Sequence, residues 1–159
     1  MLKLNERFDR AVLYAAKAAE CEATVESLNG YMPMLDNEEF GRLLGKTAEE
    51  LFPGIQYDYN GTFYASSTDM GDVGTVVHAV HGYTPGGKGV GHGIDYGIAD
   101  PQAAYVDSSL LSAVLAVKLL YGDAAPARKI AAKRDGLLSI PEYIRVIDKI
   151  NQTHSSEDL

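Results

Sequence analysis

Thr75-Val76-Val77-His78-Ala79-Val80-His81-Gly82-Tyr83, followed by Gly91-His92-Gly93-Ile94-Asp95-Tyr96-Gly97-Ile98-Ala99-Asp100-Pro101, decides the fold class of this 159-residue chain. The β-branched run from Thr75 to Val80 reads as a buried strand. After the glycine-rich turn, Asp100-Pro101 caps a long helix, with Ala104, Leu111, Val114, Leu115 and Leu119 at helical spacing and an end near Tyr121-Gly122.

Outward from this stretch, Leu4, Phe8, Val12, Ala15, Ala16 and Ala19 mark one face of a helix over residues 4 to 20. Ala23 to Leu28 alternates apolar with polar positions and reads as a short half-buried strand, closed by the turn pair Asn29-Gly30. Tyr31 to Met34 reads as extended chain, and the break near residue 35 as a domain boundary. Asp36 to Glu39 offers a cap and an acidic first turn for a helix to about Phe52, stopped by Pro53-Gly54. Between Gly61 and Gly97 glycine, histidine and hydroxyl residues accumulate without a helical period, which is where chemistry is expected. Downstream, Ala127 to Lys133 and Ile140 to Ile150 read as shorter helices joined through Gly136, and residues 153–159 as a frayed polar tail.

Composition narrows the function classes. With 46% hydrophobic and 23% charged residues the chain reads as globular. No stretch is expected to reach the roughly 20 apolar residues of a membrane span. Fourteen basic against 22 acidic residues give a net charge of −8, which repels nucleic acid and anionic membranes. The N-terminus lacks the basic start and apolar block of a signal peptide, so a cytoplasmic location is expected. A single cysteine, Cys21, excludes an internal disulfide and reads as a small buried hydrophobe. The sequons at Asn60 and Asn151 read as chance matches.

Three readings of the glycine-rich centre compete. Gly82 to Lys88 matches the spacing of a phosphate-binding loop, but Gly89 stands where a magnesium-binding hydroxyl is required and Gly89 to Gly93 cannot open a helix. His78, His81 and His92 offer a self-contained zinc site. On a strand, however, positions three apart point to opposite faces, so His78 and His81 would not converge.

The third reading rests on resemblance. Ser66 to Val73, Val76 to Tyr83 and Gly91 to Pro101 resemble, in order and spacing, the C-terminal half of the metal-dependent amidohydrolases of the aminoacylase/carboxypeptidase type, in the zinc exopeptidase superfamily. Aminoacylases, auxin-conjugate hydrolases and bacterial aminobenzoyl-glutamate hydrolases belong there, and the chain is most similar to the last. Glu6 to Ala11 with Asn29 to Met34 is similar to the last helix and strand of that family's lid, or dimerisation, domain. Asp36 to Phe52 resembles the helix that re-enters its catalytic domain.

The resemblance implies an α/β fold. Residues 1–34 would end a lid domain, residues 35–152 would form the C-terminal part of an α/β/α catalytic domain, and residues 153–159 would be the tail. It implies hydrolysis of an amide bond between an acyl or aroyl group and an amino acid, using two divalent ions, zinc or manganese. His92 falls on a metal ligand, where the bland alternative is a surface histidine in a flexible loop. Asp69 falls on an acidic residue near the active site, able to orient a histidine, or else to cap a turn or helix. His81 matches a residue bordering the substrate pocket. His78 departs from the usual proline and Gly93 from the usual serine; Asp72 reads as a cap.

The general-base glutamate and remaining ligands are expected in an N-terminal portion that this chain does not contain. The chain alone is therefore expected to bind no metal and to be inactive, and its partners to be a small N-acyl or aroyl amino acid, the missing portion and a second copy. A strand at residues 23–28 without neighbours would leave an open edge prone to association. The competing class is a non-catalytic remnant or interaction module that keeps the fold without metals.

Overall fold

A computed structural model describes residues 2–59 and 67–159. Ser66, the Asn60 sequon and the Gly61 start of the glycine-rich segment lie outside the described residues. The chain divides into two compact units, Met1–Met32 with Leu138–Leu159, and Pro33–Leu137.

In the first unit, helix α1 (Leu2–Ala18) buries Asp9 and Leu13. The Asp9 carboxylate accepts the Ser27 hydroxyl at 2.9 Å, fastening α1 to strand β1 (Thr24–Ser27). The remaining elements of this unit come from the other end of the chain.

The helix read at Ile140 to Ile150 leads into a strand at Gln152–Ser155 that pairs antiparallel with β1, in the register Thr24↔Ser155 to Ser27↔Gln152. The expected frayed tail is thereby corrected. Ser156 is buried: its amide donates to the Ala23 carbonyl at 2.9 Å and its hydroxyl accepts the Ala23 amide at 2.9 Å. Lys17 adds bonds to the carbonyls of Ser156 and Leu159. Polar Gln152, Thr153, His154 and Ser155 carry no hydropathy signal, so backbone pairing and serine caps, not apolar burial, order this end.

In the second unit, α2 (Glu38–Leu51) starts at Asn37, whose side chain accepts the Phe40 amide. Leu44 and Ala48 of α2 bury against Leu111 and Leu115, ringed by Phe40, Leu43, Leu51, Tyr57, Val80 and Leu119. The strand expected from Thr75 to Val80 is corrected. Helix α3 spans Met70–Val76, and only Ala79 pairs, in a single parallel bridge to Asp36.

Local bonding explains α3. The Asp69 carbonyl accepts the Asp72 and Val73 amides, and the buried Thr75 hydroxyl donates to the Gly71 carbonyl at 2.9 Å. Those turns use backbone groups a ladder would need, and they prevail over the β-preference of the valines.

Strands β2 (Gly87–Lys88) and β3 (Gly97–Ile98) pair antiparallel. A π-helical turn (Gln102–Asp107) then runs into α4 (Ser108–Ala132). The Asp100 carboxylate accepts the Ala103 amide at 3.1 Å. Backbone angles leave the helical range from Tyr121 to Ala124, with φ of +62, +60 and +54 at the last three residues. Helix α5 (Ile140–Ile150) and strand β4 (Gln152–Ser155) complete the first unit, followed by a 3-10 turn at Ser156–Asp158.

Gln102–Ala132 is long and apolar enough by composition to cross a membrane. That corrects the reading that no segment approaches such a span. The break at Tyr121 interrupts it, and the core packing of Leu111 and Leu115 accounts for part of its apolarity.

Candidate functional site

The hairpin of β2 and β3 presents His92 in its connecting loop, residues 89–96. Lys88 does not open a helix, as a phosphate-binding loop would require; the chain bends back on itself instead. The Gly93 amide donates to the Val90 carbonyl at 2.7 Å, the Tyr96 amide to the Gly93 carbonyl at 3.1 Å, and the Asp95 carboxylate accepts the Val90 amide at 3.4 Å.

Two glycines make this turn sterically possible. At Gly89, with φ of +84, a Cβ would lie 2.4 Å from the Asp95 carbonyl oxygen; at Gly93 it would meet the Val90 carbonyl at 2.8 Å. His92 itself sits at φ +63, in the left-handed region that costs most side chains about 1 kcal/mol or more. Its ring is exposed and makes no hydrogen bond among the described residues. A strained backbone holding an unengaged imidazole outward is an arrangement suited to a ligand supplied from elsewhere.

His81 lies in the segment after α3. Its amide donates to the Asp36 carboxylate at 3.2 Å, and its ring stacks on Tyr83 with centroids 4.8 Å apart and planes 30° from parallel. Its Nδ1 is buried and has no partner among the described residues. Leaving such a nitrogen unsatisfied costs about 1–3 kcal/mol.

His78, in contrast, is fully engaged. Its Nδ1 faces the Asn37 amide nitrogen at 3.1 Å and its Nε2 meets the Lys133 carbonyl at the end of α4. Asn37 Oδ1 is committed to the Phe40 amide, so its NH2 donates to His78, and the neutral ring with its proton on Nε2 satisfies both contacts. This histidine is a tie between α2, the segment after α3 and the end of α4. Asn37 was legible as a helix cap, but its second bond follows only from the approach of residue 78.

Asp69 precedes α3, is exposed, and accepts the Thr68 hydroxyl at 3.1 Å; its side chain makes no cap bond to the helix. Asp72 lies in the first turn of α3, not at its cap. Cys21 is exposed, which corrects its reading as a buried hydrophobe; it follows the end of α1, where its amide donates to the Ala16 carbonyl.

Among the described residues no group of three or more His, Cys, Asp or Glu side chains converges, so His78, His81 and His92 do not form a zinc site. Catalytic zinc takes three protein ligands as a rule, and His92 offers one. The described residues therefore do not complete a metal centre.

An apolar cleft of about 270 Å³ lies between α2 and the end of α4, lined by Phe40, Val77, His78, Leu119, Ile130 and Leu137 among others. Neither His92, His81 nor Asp69 lines it. Burial raises the Tyr57 phenol above its usual range, reinforced by the Asp36 and Asp58 carboxylates, so it remains a neutral wall of the core around Gly45.

Compared with protein-family models, with curated proteins and with solved structures, the chain matches none.

Proposed function

We propose that this chain is the C-terminal segment of a binuclear-metal amidohydrolase, contributing His92 as one ligand to a site whose other ligands and general-base glutamate come from another polypeptide segment. In that assembly residues 35–152 belong to an α/β/α catalytic domain, with residues 1–34 on the lid side. The reaction is hydrolysis of an amide joining an acyl or aroyl group to an amino acid, with aminobenzoyl-glutamate-like compounds as favoured substrates. His81 borders the substrate and Asp69 orients a neighbouring histidine. Such chemistry uses paired metal ions about 3.5–4 Å apart.

The observation that supports this reading is the His92 loop: two glycines that tolerate no Cβ, a left-handed histidine and a ring with no partner among the described residues. A histidine kept only for solubility needs none of these.

The purified chain incubated with zinc or manganese is expected to retain less than one equivalent after dialysis and to hydrolyse no N-acyl amino acid. Mixed with the separately expressed N-terminal catalytic segment of an aminobenzoyl-glutamate hydrolase, it is expected to bind two equivalents and to gain hydrolysis, both lost in His92→Ala. Failure of the mixture to take up metal supports the non-catalytic remnant instead. Hydrolysis by the chain alone refutes the proposal.

A further inference from the structure

Asn29-Gly30 lies just past the β1–β4 ladder, and neither the His92 loop nor the α2–α4 core uses it. Asn29 is held from two sides. Its backbone amide donates to Asn151 Oδ1 at 2.6 Å, and its side-chain Nδ2 turns forward to donate to the Gly30 carbonyl at 2.9 Å. That second bond carries the carboxamide carbon along the peptide that joins the two residues.

The nitrogen of that peptide is unencumbered. The Gly30 amide makes no hydrogen bond among the described residues. Gly30 is exposed, and a Cβ built on it would meet nothing within 4 Å. Leu28 and Tyr31 on either side are 65% and 53% exposed, so water reaches the pair. An electrophilic carbon beside an open peptide nitrogen is the arrangement for intramolecular acyl transfer, in which proximity stands in for a second reactant.

The other described asparagines lack it. Asn5 lies within α1, followed by helical Glu6. Asn37 commits Oδ1 to the Phe40 amide and Nδ2 to His78, and Glu38 opens α2. Asn151 accepts the Asn29 amide, and its neighbour Gln152 pairs with Ser27 in the ladder.

We propose that Asn29 is a site of spontaneous deamidation, with water as the co-reactant and aspartate and isoaspartate as the products. Solvent base removes the Gly30 amide proton, and the nitrogen bonds to Asn29 Cγ. The Cγ–Nδ2 bond breaks and Nδ2 leaves as ammonia, taking a proton from water, which leaves a cyclic imide. Water then opens the ring. Attack at Cγ gives aspartate; attack at the backbone carbonyl gives isoaspartate, whose main chain runs through Cβ. Either product removes the Nδ2 donor and sets a new carboxylate at the end of the ladder, in a chain already at −8. This site is independent of the metal-site reading.

The full chain is incubated for days in mildly alkaline buffer, digested with trypsin and mapped by mass spectrometry. Residue 29 is expected to convert ahead of residues 5, 37 and 151, and fragment spectra of tryptic peptide 18–42 separate it from residue 37. Asn60, which also precedes a glycine, falls on a different tryptic peptide and is read independently. Isoaspartyl carboxyl methyltransferase with labelled S-adenosylmethionine is expected to mark peptide 18–42. The folded chain should convert within about tenfold of the rate of a synthetic peptide of residues 24–34, because the fold leaves the nucleophile free. Gly30→Ala, whose methyl meets no neighbour and whose φ is not left-handed, should keep the far-UV circular dichroism and slow conversion about tenfold or more. Conversion of residue 37 or 151 ahead of residue 29 overturns the proposal, as does aspartate formed without isoaspartate. A folded chain slower than the peptide by more than that margin, or a Gly30→Ala chain that converts at the parent rate, overturns it as well.

Discussion

His81 and Gly45 show how single residues carry opposite obligations. The buried Nδ1 of His81 lacks a partner among the described residues, so the fold bears a cost that an apolar ring of similar shape removes. His81→Phe, which keeps the stack on Tyr83, is expected to raise stability by about 1 kcal/mol in chemical denaturation. In the metal-loaded assembly it is expected to reduce hydrolysis. A loss of stability would show that the nitrogen is satisfied and would remove the reason for placing it beside a substrate.

Gly45 answers to packing. A Cβ there would lie 2.6 Å from both the Tyr57 and Tyr59 rings, which meet edge to face with centroids 4.9 Å apart. Gly45→Ala gains about 1 kcal/mol of helix propensity but overpacks the core at about 1–3 kcal/mol, so a net loss near 1 kcal/mol is expected in urea unfolding. An alanine variant more stable than the parent would mean that the tyrosines are free to move aside.

At the scale of elements, two helix ends carry acid-sensitive contacts. Ser139 caps α5 by accepting the Glu142 amide, while the Glu142 carboxylate accepts the Ser139 hydroxyl and amide. That hydroxyl bond, then the amide bond, holds the Glu142 carboxyl below its usual range; Lys129 does the same for Glu39. Each group binds its proton less readily folded than unfolded. Its stabilising contribution is therefore present above about pH 4.3, the unfolded value for glutamate, and lost as pH falls through the lower folded value. Glu142→Gln is expected to melt earlier than the parent at neutral pH and to lose less between neutral pH and about pH 3. Parallel acid limbs for the two proteins in thermal circular dichroism would contradict this.

The segment from Thr75 to Val80 belongs to the same scale. Its β-branched residues were legible as strand, yet α3 takes Thr75 and Val76, because the Thr75 hydroxyl and the Asp69 carbonyl find partners within one turn. Propensity was visible in the sequence; competition for the same backbone groups was not.

The whole molecule depends on which distant segments meet. Strand β4 supplies the ladder partner of β1 among the described residues, and Ser156 fills the position beside Ala23. Removal of residues 152–159 is expected to unfold the first unit while the α2–α4 core persists. In hydrogen exchange monitored by mass spectrometry this appears as lost protection in α1 and α5 with retained protection at Leu44 and Leu111. Uniform loss would show that the two units unfold as one, and full retention that β4 is dispensable.

Residue order alone marked the helices read at residues 4–20, 36–52 and 140–150 and the Asp100 cap, because capping and apolar period are local and act within a turn or two. It also marked the glycine-flanked His92 loop, since close backbone approach admits no other residue at Gly89. Only the tertiary structure decided that the polar C-terminus joins the N-terminal strand and that His78 is spent on Asn37 and Lys133. Each of these depends on long-range pairing of polar groups, whose bonds leave no hydrophobic pattern for a reader of the sequence to follow.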